Sequence, residues 1–99
     1  MRLALLLTAL IATPGSAQAP PVSKHIQKIM AKADGAAPET AFKVASVRDE
    51  YQIIAALGFT PQSQSLVIQK RPYDVLTVTN DRGETRQLWL DISRFYATY

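Results

Sequence analysis

This chain of 99 residues has no cysteine, one histidine, one tryptophan and four glycines. The missing thiol excludes disulfides, zinc–thiolate sites, redox motifs and cysteine nucleophiles. The lone histidine, His25, lies between the basic and apolar faces of a helical stretch. Its nearest carboxylate in sequence, Asp34, is about two and a half helical turns away. A general base or a metal site needs a positioned constellation, so His25 reads as a solvated helix histidine. Phosphate loops of the form GxGxxG or GxxxxGK[ST] are missing, and so is HExxH. Internal repeats and low-complexity tracts are missing too.

Long apolar runs are also scarce. Leu3 to Ala12, "LALLLTALIA", is the longest. It is about half the ~20 residues that a membrane-spanning helix needs. Arg2 precedes it, Thr13-Pro14-Gly15 breaks it, and the small residues Gly15, Ser16, Ala17 and Ala19 follow. That is the layout of a secretory signal peptide. Cleavage after Ala19 would place Pro20 at the scissile bond, so the cut is expected after Ala17, with Gln18 as the new terminus. No cysteine follows the run to take a lipid. The compact positive start suits a bacterial signal, and the expected location is periplasmic or secreted.

Removal of Arg2 lowers the net charge of +3 by one. So mild a balance does not call for nucleic acid. The partner expected is another envelope or secreted protein, with membrane-surface contact as the alternative. A mature chain this short buries only ~60–65% of its unfolded surface and depends on packing.

Three segments are expected: a signal peptide over 1–17, an amphipathic helix and linker over 18–40, and a small domain over 41–99. Ser23 is placed to cap the first helix, Lys24 to Asp34. Val22, Ile26, Ile29, Met30 and Ala33 fall on one side of it, and Lys24, Lys28 and Lys32 on the other. Gly35 stands where a left-handed C-terminal residue is wanted. "GAAPET" then reads as a linker, and all eight aromatic residues follow it. The main core is therefore expected after residue 40, with the first helix as an accessory.

"AFKVA", Ala41 to Ala45, reads as a short extended segment with Phe42 and Val44 on one face. Ser46 caps a second helix, Val47 to Leu57, with Asp49 and Glu50 in the first turn, where they suit the helix dipole. Val47, Tyr51, Ile54 and Ala55 form its expected apolar stripe, with Ile53 and Leu57 beside it. Gly58 stops it, and Phe59 is placed to fold back on the last turn.

Three strands are expected at Ser63–Gln69, Tyr73–Asn80 and Glu84–Ile92. Asp81-Arg82-Gly83 reads as a three-residue turn with the glycine left-handed. Leu76 then faces Leu88, Val78 faces Arg86, and Asp74 faces Leu90. Leu76, Val78, Leu88, Leu90 and Ile92 make the core face. Val75 meets Trp89 on the other face, among Thr77, Gln87, Thr79 and Thr85. If Lys70-Arg71-Pro72 is also a three-residue turn, Leu66 pairs with Leu76. The fold class expected is α+β: a three-stranded antiparallel meander with a helix packed on one face.

Carboxylates carry no evident acid–base pair. Asp49 and Glu50 are explained by the helix start, Asp81 and Glu84 by the turn. Asp74 and Asp91 point to opposite faces in this register, and each reads as an edge-of-sheet carboxylate bonded to a nearby amide. No serine has a histidine near in sequence. No catalytic residue, cofactor or metal is therefore assigned.

Two surfaces are candidates for binding. The first is the back of the hairpin with the aromatic end of the chain: Val75, Thr77, Gln87, Trp89, Phe95 and Tyr96, since Trp and Tyr concentrate at binding hot spots. The second is the basic face Lys24, Lys28 and Lys32, which could rest on an anionic membrane. The apolar side of that helix carries no Trp, Phe or Leu.

The order of a helix and three antiparallel strands ending in an Asp, over "YDVLTVTNDRGETRQLWLDI", resembles the small exported PepSY-type domains. That resemblance implies a module that binds and inhibits peptidases or serves as an accessory. Ser93-Arg94-Phe95 stands where those domains carry Thr-Gly, and no residue role is transferred. The sequence therefore reads as an exported, non-catalytic binding or accessory module.

Overall fold

The computed structural model describes residues 22–98. The signal peptide, both cleavage sites and Tyr99 lie outside them. Helix α1 spans Lys24–Ala31, strand β1 Phe42–Lys43, helix α2 Val47–Ala56, β2 Thr60–Ile68, β3 Pro72–Thr79 and β4 Thr85–Asp91. Short 3-10 turns cover Pro38–Thr40 and Tyr96–Thr98. The result is a small α+β domain, and among the described residues no helix is long and apolar enough to cross a membrane.

The sheet has four strands in the order β1-β4-β3-β2, one more than the meander expected. The addition is the "AFKVA" segment. It runs parallel to β4, with Phe42 opposite Leu90 and Lys43 opposite Asp91. Phe42 and Val44 thereby enter the core. Parallel pairing across a long crossover leaves no local turn signal, which is why the sequence pattern showed extended chain without its partner.

The β3–β4 hairpin has the expected register, with Leu76 opposite Leu88, Asp74 opposite Leu90 and Val75 opposite Trp89. Gly83 takes φ +77°. Its amide donates to Asn80 O at 3.0 Å, which closes the turn. The β2–β3 register differs from expectation. Leu66 lies opposite Asp74, not Leu76, because the turn is made by Gln69, Lys70 and Arg71 while Pro72 joins the strand. The shift is two residues, so each side chain keeps its face.

Helix α1 is capped as expected, Ser23 Oγ accepting from Ile26 N at 3.2 Å, but it ends at Ala31, short of Asp34. Of its expected apolar side, Ile26 is fully buried and Ile29, Met30 and Ala33 pack against the core, whereas Val22, ahead of the helix, stays exposed. Gly35 has a different task from ending the helix. Its φ is +69°, and an added Cβ would meet the Phe42 ring. Its amide donates to Thr40 O, and its carbonyl accepts from Trp89 N at 2.7 Å. The "GAAPET" linker is therefore laced to the outer edge of β4.

Helix α2 starts at Ser46, whose Oγ accepts from Asp49 N. It ends in a Schellman motif, Phe59 N donating to Ile54 O and Gly58 N to Ala55 O, and Phe59 packs back against the core. Its buried face is not the stripe expected. Asp49, Glu50, Ile53 and Ile54 are buried, whereas Val47, Tyr51 and Ala55 stay exposed. Grouping the apolar residues together turns the helix by most of a quadrant. The actual rotation follows Ile53 and Ile54 and carries Glu50 inward with them.

Candidate functional site

Four places hold side chains that packing alone does not explain. The first is a carboxyl pair in the core. Asp74 faces inward beside Leu76 and Leu90, and Glu50 comes down on it from α2; their exposures are 0% and 1%. Desolvation, then the hydrogen bond to Asp74 and its like charge, push the Glu50 carboxyl up to about 9. At neutral pH Glu50 keeps its proton and shares it with the Asp74 carboxylate, the arrangement two close carboxyls adopt when both cannot ionise. The pair lies beneath the surface, out of reach of a substrate. The amide-bonded reading of Asp74 and the helix-start reading of Glu50 are both corrected. The signal was present: Asp74 already faced Leu90 on the core side, and Glu50 lies three and four residues before Ile53 and Ile54.

Asp91 does follow the expected reading. Its Oδ1 accepts from Ser93 N and Oγ at 2.9 and 2.6 Å, and its Oδ2 from Arg71 Nη1 at 3.3 Å. Ser93 is thereby used on Asp91.

The second place is His25. Its Nε2 lies 2.9 Å from Asp49 Oδ2, which also accepts from Ala45 N at 2.9 Å. Burial works against the Asp49 carboxylate, but the Ala45 amide and His25 outweigh it and hold the group below its usual range. His25 thus has a carboxylate partner 24 residues away, which spacing along α1 could not reveal. The pair ties α1 to α2. Among the described residues, no three His, Cys, Asp or Glu gather as a metal site.

The third place is the back of the sheet. Val75 is only 6% exposed and packs with Tyr73 and Ala41, while Val67 and Trp89 lie against them. Tyr73 meets the Trp89 ring edge-on, centroids 5.5 Å apart. Phe95 and Tyr96 pack against the other cluster, around Ile53 and Leu90. The six-residue surface expected there is therefore divided. Val75 and Trp89 form a small second core, Thr77 and Gln87 lie beside it, and the two C-terminal aromatics are elsewhere.

The fourth place is the β2 side. β2 is an edge strand, paired only with β3 among the described residues. Its core-face residues Leu66 and Ile68 are 50% and 61% exposed, outside the buried cluster that Ile53 and Ile54 form with Leu76, Val78, Leu88 and Leu90. Val47 and Tyr51, one turn apart on the flank of α2 next to its buried face, are exposed as well. The strand carries no charged residue, and its edge protection, Pro61 and the irregularity between Pro61 and Ser63, is confined to its start, which leaves residues 63–68 open to pairing.

The lysine face lies at the opposite end. Lys24, Lys28 and Lys32 are all exposed. Lys28 and Lys32 share a groove of about 530 Å³ with Lys43, Arg94, His25 and Glu39. Lys43 and Arg94 belong to other elements, so the helical spacing of the lysines could not bring them in.

Among the described residues the architecture is a small α+β domain with two helices and a mixed four-stranded sheet. The chain belongs to the DUF4919 family, a domain of unknown function, which it matches over residues 16–99. No curated protein and no solved structure matches it.

Proposed function

We propose that this protein is an exported, non-catalytic module that binds another envelope or secreted protein through the β2 edge. The observation that carries it is the uncharged edge strand, with Leu66 and Ile68 half exposed or more. An extended segment of a partner would add as a fifth strand. Its backbone would pair with the outer edge of β2, and its alternate apolar side chains would lie beside Leu66 and Ile68. A PepSY-like, peptidase-directed accessory role fits this mode, since it presents an edge to an extended chain. Export rests on the signal-peptide pattern of residues 1–17. The non-catalytic reading is supported by the burial of Glu50 and Asp74. The back face around Thr77, Gln87 and Trp89 is the lesser surface, because its aromatic and aliphatic groups are spent on each other.

The test is photo-crosslinking in cells from Ser65, on the outer strand, and from Gln87, on the back face. One partner crosslinked in high yield from Ser65, and lost in Leu66→Lys/Ile68→Lys, supports the reading. A partner captured from Gln87 alone refutes it. A second reading is envelope contact through the lysine face of α1, favoured by the exposure of Lys24, Lys28 and Lys32. Of their apolar counterparts Ile26 is buried and Ile29, Met30 and Ala33 are packed against the core, so that contact would be electrostatic, without insertion.

A further inference from the structure

Four cations from three separate elements face one groove. Lys28 and Lys32 come from α1, Lys43 from β1, and Arg94 from the turn after β4. None of their side chains has a hydrogen-bond or ion-pair partner among the described residues. The one carboxylate on the rim is Glu39, since Asp49 is taken up by His25 and Ala45. The apolar lining is Ile29, Ala33 and Ala41, with Thr40 beside them, its side chain bonded to Asp34. Four cations around one concavity, set against one carboxylate, repel each other and raise the local potential. A bound multivalent anion relieves that repulsion, and a single carboxylate would neutralise too little of it.

We infer that the groove between α1, β1 and the C-terminal turn is a binding site for a multivalent phosphate group. Lysines act there as point charges around the oxygens, and Arg94 supplies a planar pair of donors. The volume of about 530 Å³ admits a phosphate-bearing group with a small organic substituent against the apolar lining. The site differs from the generic lysine face in its membership. Lys24 lies outside the groove, while Lys43 and Arg94, absent from that face, belong to it. The inference is independent of the β2 edge, which lies at the other side of the sheet.

Tripolyphosphate is the soluble probe, titrated calorimetrically into the full chain without its signal segment and into three variants. Vesicles containing phosphatidic acid, a lipid phosphomonoester, are the second arm. Saturable one-to-one binding is expected, weakened several-fold between 50 and 200 mM salt, as about a Debye-length interaction is. Lys43→Gln/Arg94→Gln should raise Kd about tenfold or more, Lys28→Gln/Lys32→Gln similarly, and Lys24→Gln less than about twofold. All four positions are exposed, so the variants should fold, which far-UV dichroism checks. Vesicle binding with the same residue dependence would identify the phosphate as a lipid headgroup, and binding of tripolyphosphate alone would identify it as soluble. Equal small losses for every lysine, Lys24 included, or no saturation in either arm, would overturn the site.

Discussion

Replacing Glu50 by Gln should remove most of the pH dependence of this protein's stability above pH 5. The Glu50 carboxyl has an ordinary value of 4.5 and is pushed up to about 9 in the fold, by desolvation first and by Asp74 second. Between those values the folded chain holds a proton that the unfolded chain releases. Folding therefore costs nothing extra below pH 4.5, and stability falls as pH rises, by up to about 1.4 kcal/mol per pH unit, until the folded group itself ionises. From pH 5 to pH 7 the loss is about 3 kcal/mol, a large part of the stability of a domain this small. The carboxamide of Gln has the shape of the protonated acid, donates to Asp74 as the acid does, and has no proton to lose. Urea midpoints at pH 5, 6, 7 and 8 measure the difference. With m near ~1 kcal/mol/M for a small domain, the native midpoint should drop by about 3 M between pH 5 and 7. That of Glu50→Gln should stay level, so the variant is the more stable protein at pH 8. Asp74→Asn separates the two causes. It removes the like charge and leaves the desolvation, so the slope should shorten its pH range without vanishing. Parallel curves for wild type and Glu50→Gln would refute the shared-proton reading of the pair.

Gly35→Ala should cost about 3 kcal/mol, from a left-handed backbone and a Cβ that meets the Phe42 ring, read as a lowered thermal midpoint. On the acid side, Asp49 acts in the opposite sense to Glu50. Its lowered carboxyl supplies stability that is present above the ordinary value near 3.8 and is lost as pH falls through the folded value. His25→Ala should move the Asp49 titration upward in an NMR pH series, with a stability loss under about 1 kcal/mol because the histidine is half exposed. Trp89→Ala should destabilise by about 2–3 kcal/mol in chemical denaturation, since its ring packs on Tyr73 and Val75. A fully stable variant would restore the back face as a free surface.

The local grammar of this chain could be read from its residues. Ser23 and Ser46 as caps, Gly58-Phe59 as a helix end, and Gly83 as the left-handed turn residue each depend on neighbours a few positions away. The β3–β4 register followed from the turn length and the period-two pattern, and with it the inward face of Leu76, Val78, Leu88 and Leu90. What could not be read involves groups that meet across the sequence. Phe42 joins β4 through a parallel pairing that no turn announces. His25 finds Asp49 on another helix, and Lys43 and Arg94 join Lys28 and Lys32 only because α1 docks on the core. The rotation of α2 is the plainest case. Helical periodicity marks which residues share a side, but the sheet beneath decides which side is buried. Here it buried Glu50 against Asp74 and left Tyr51 in solvent, because the packing of Ile53 and Ile54, together with a shared proton, outweighs the exposure of one aromatic ring.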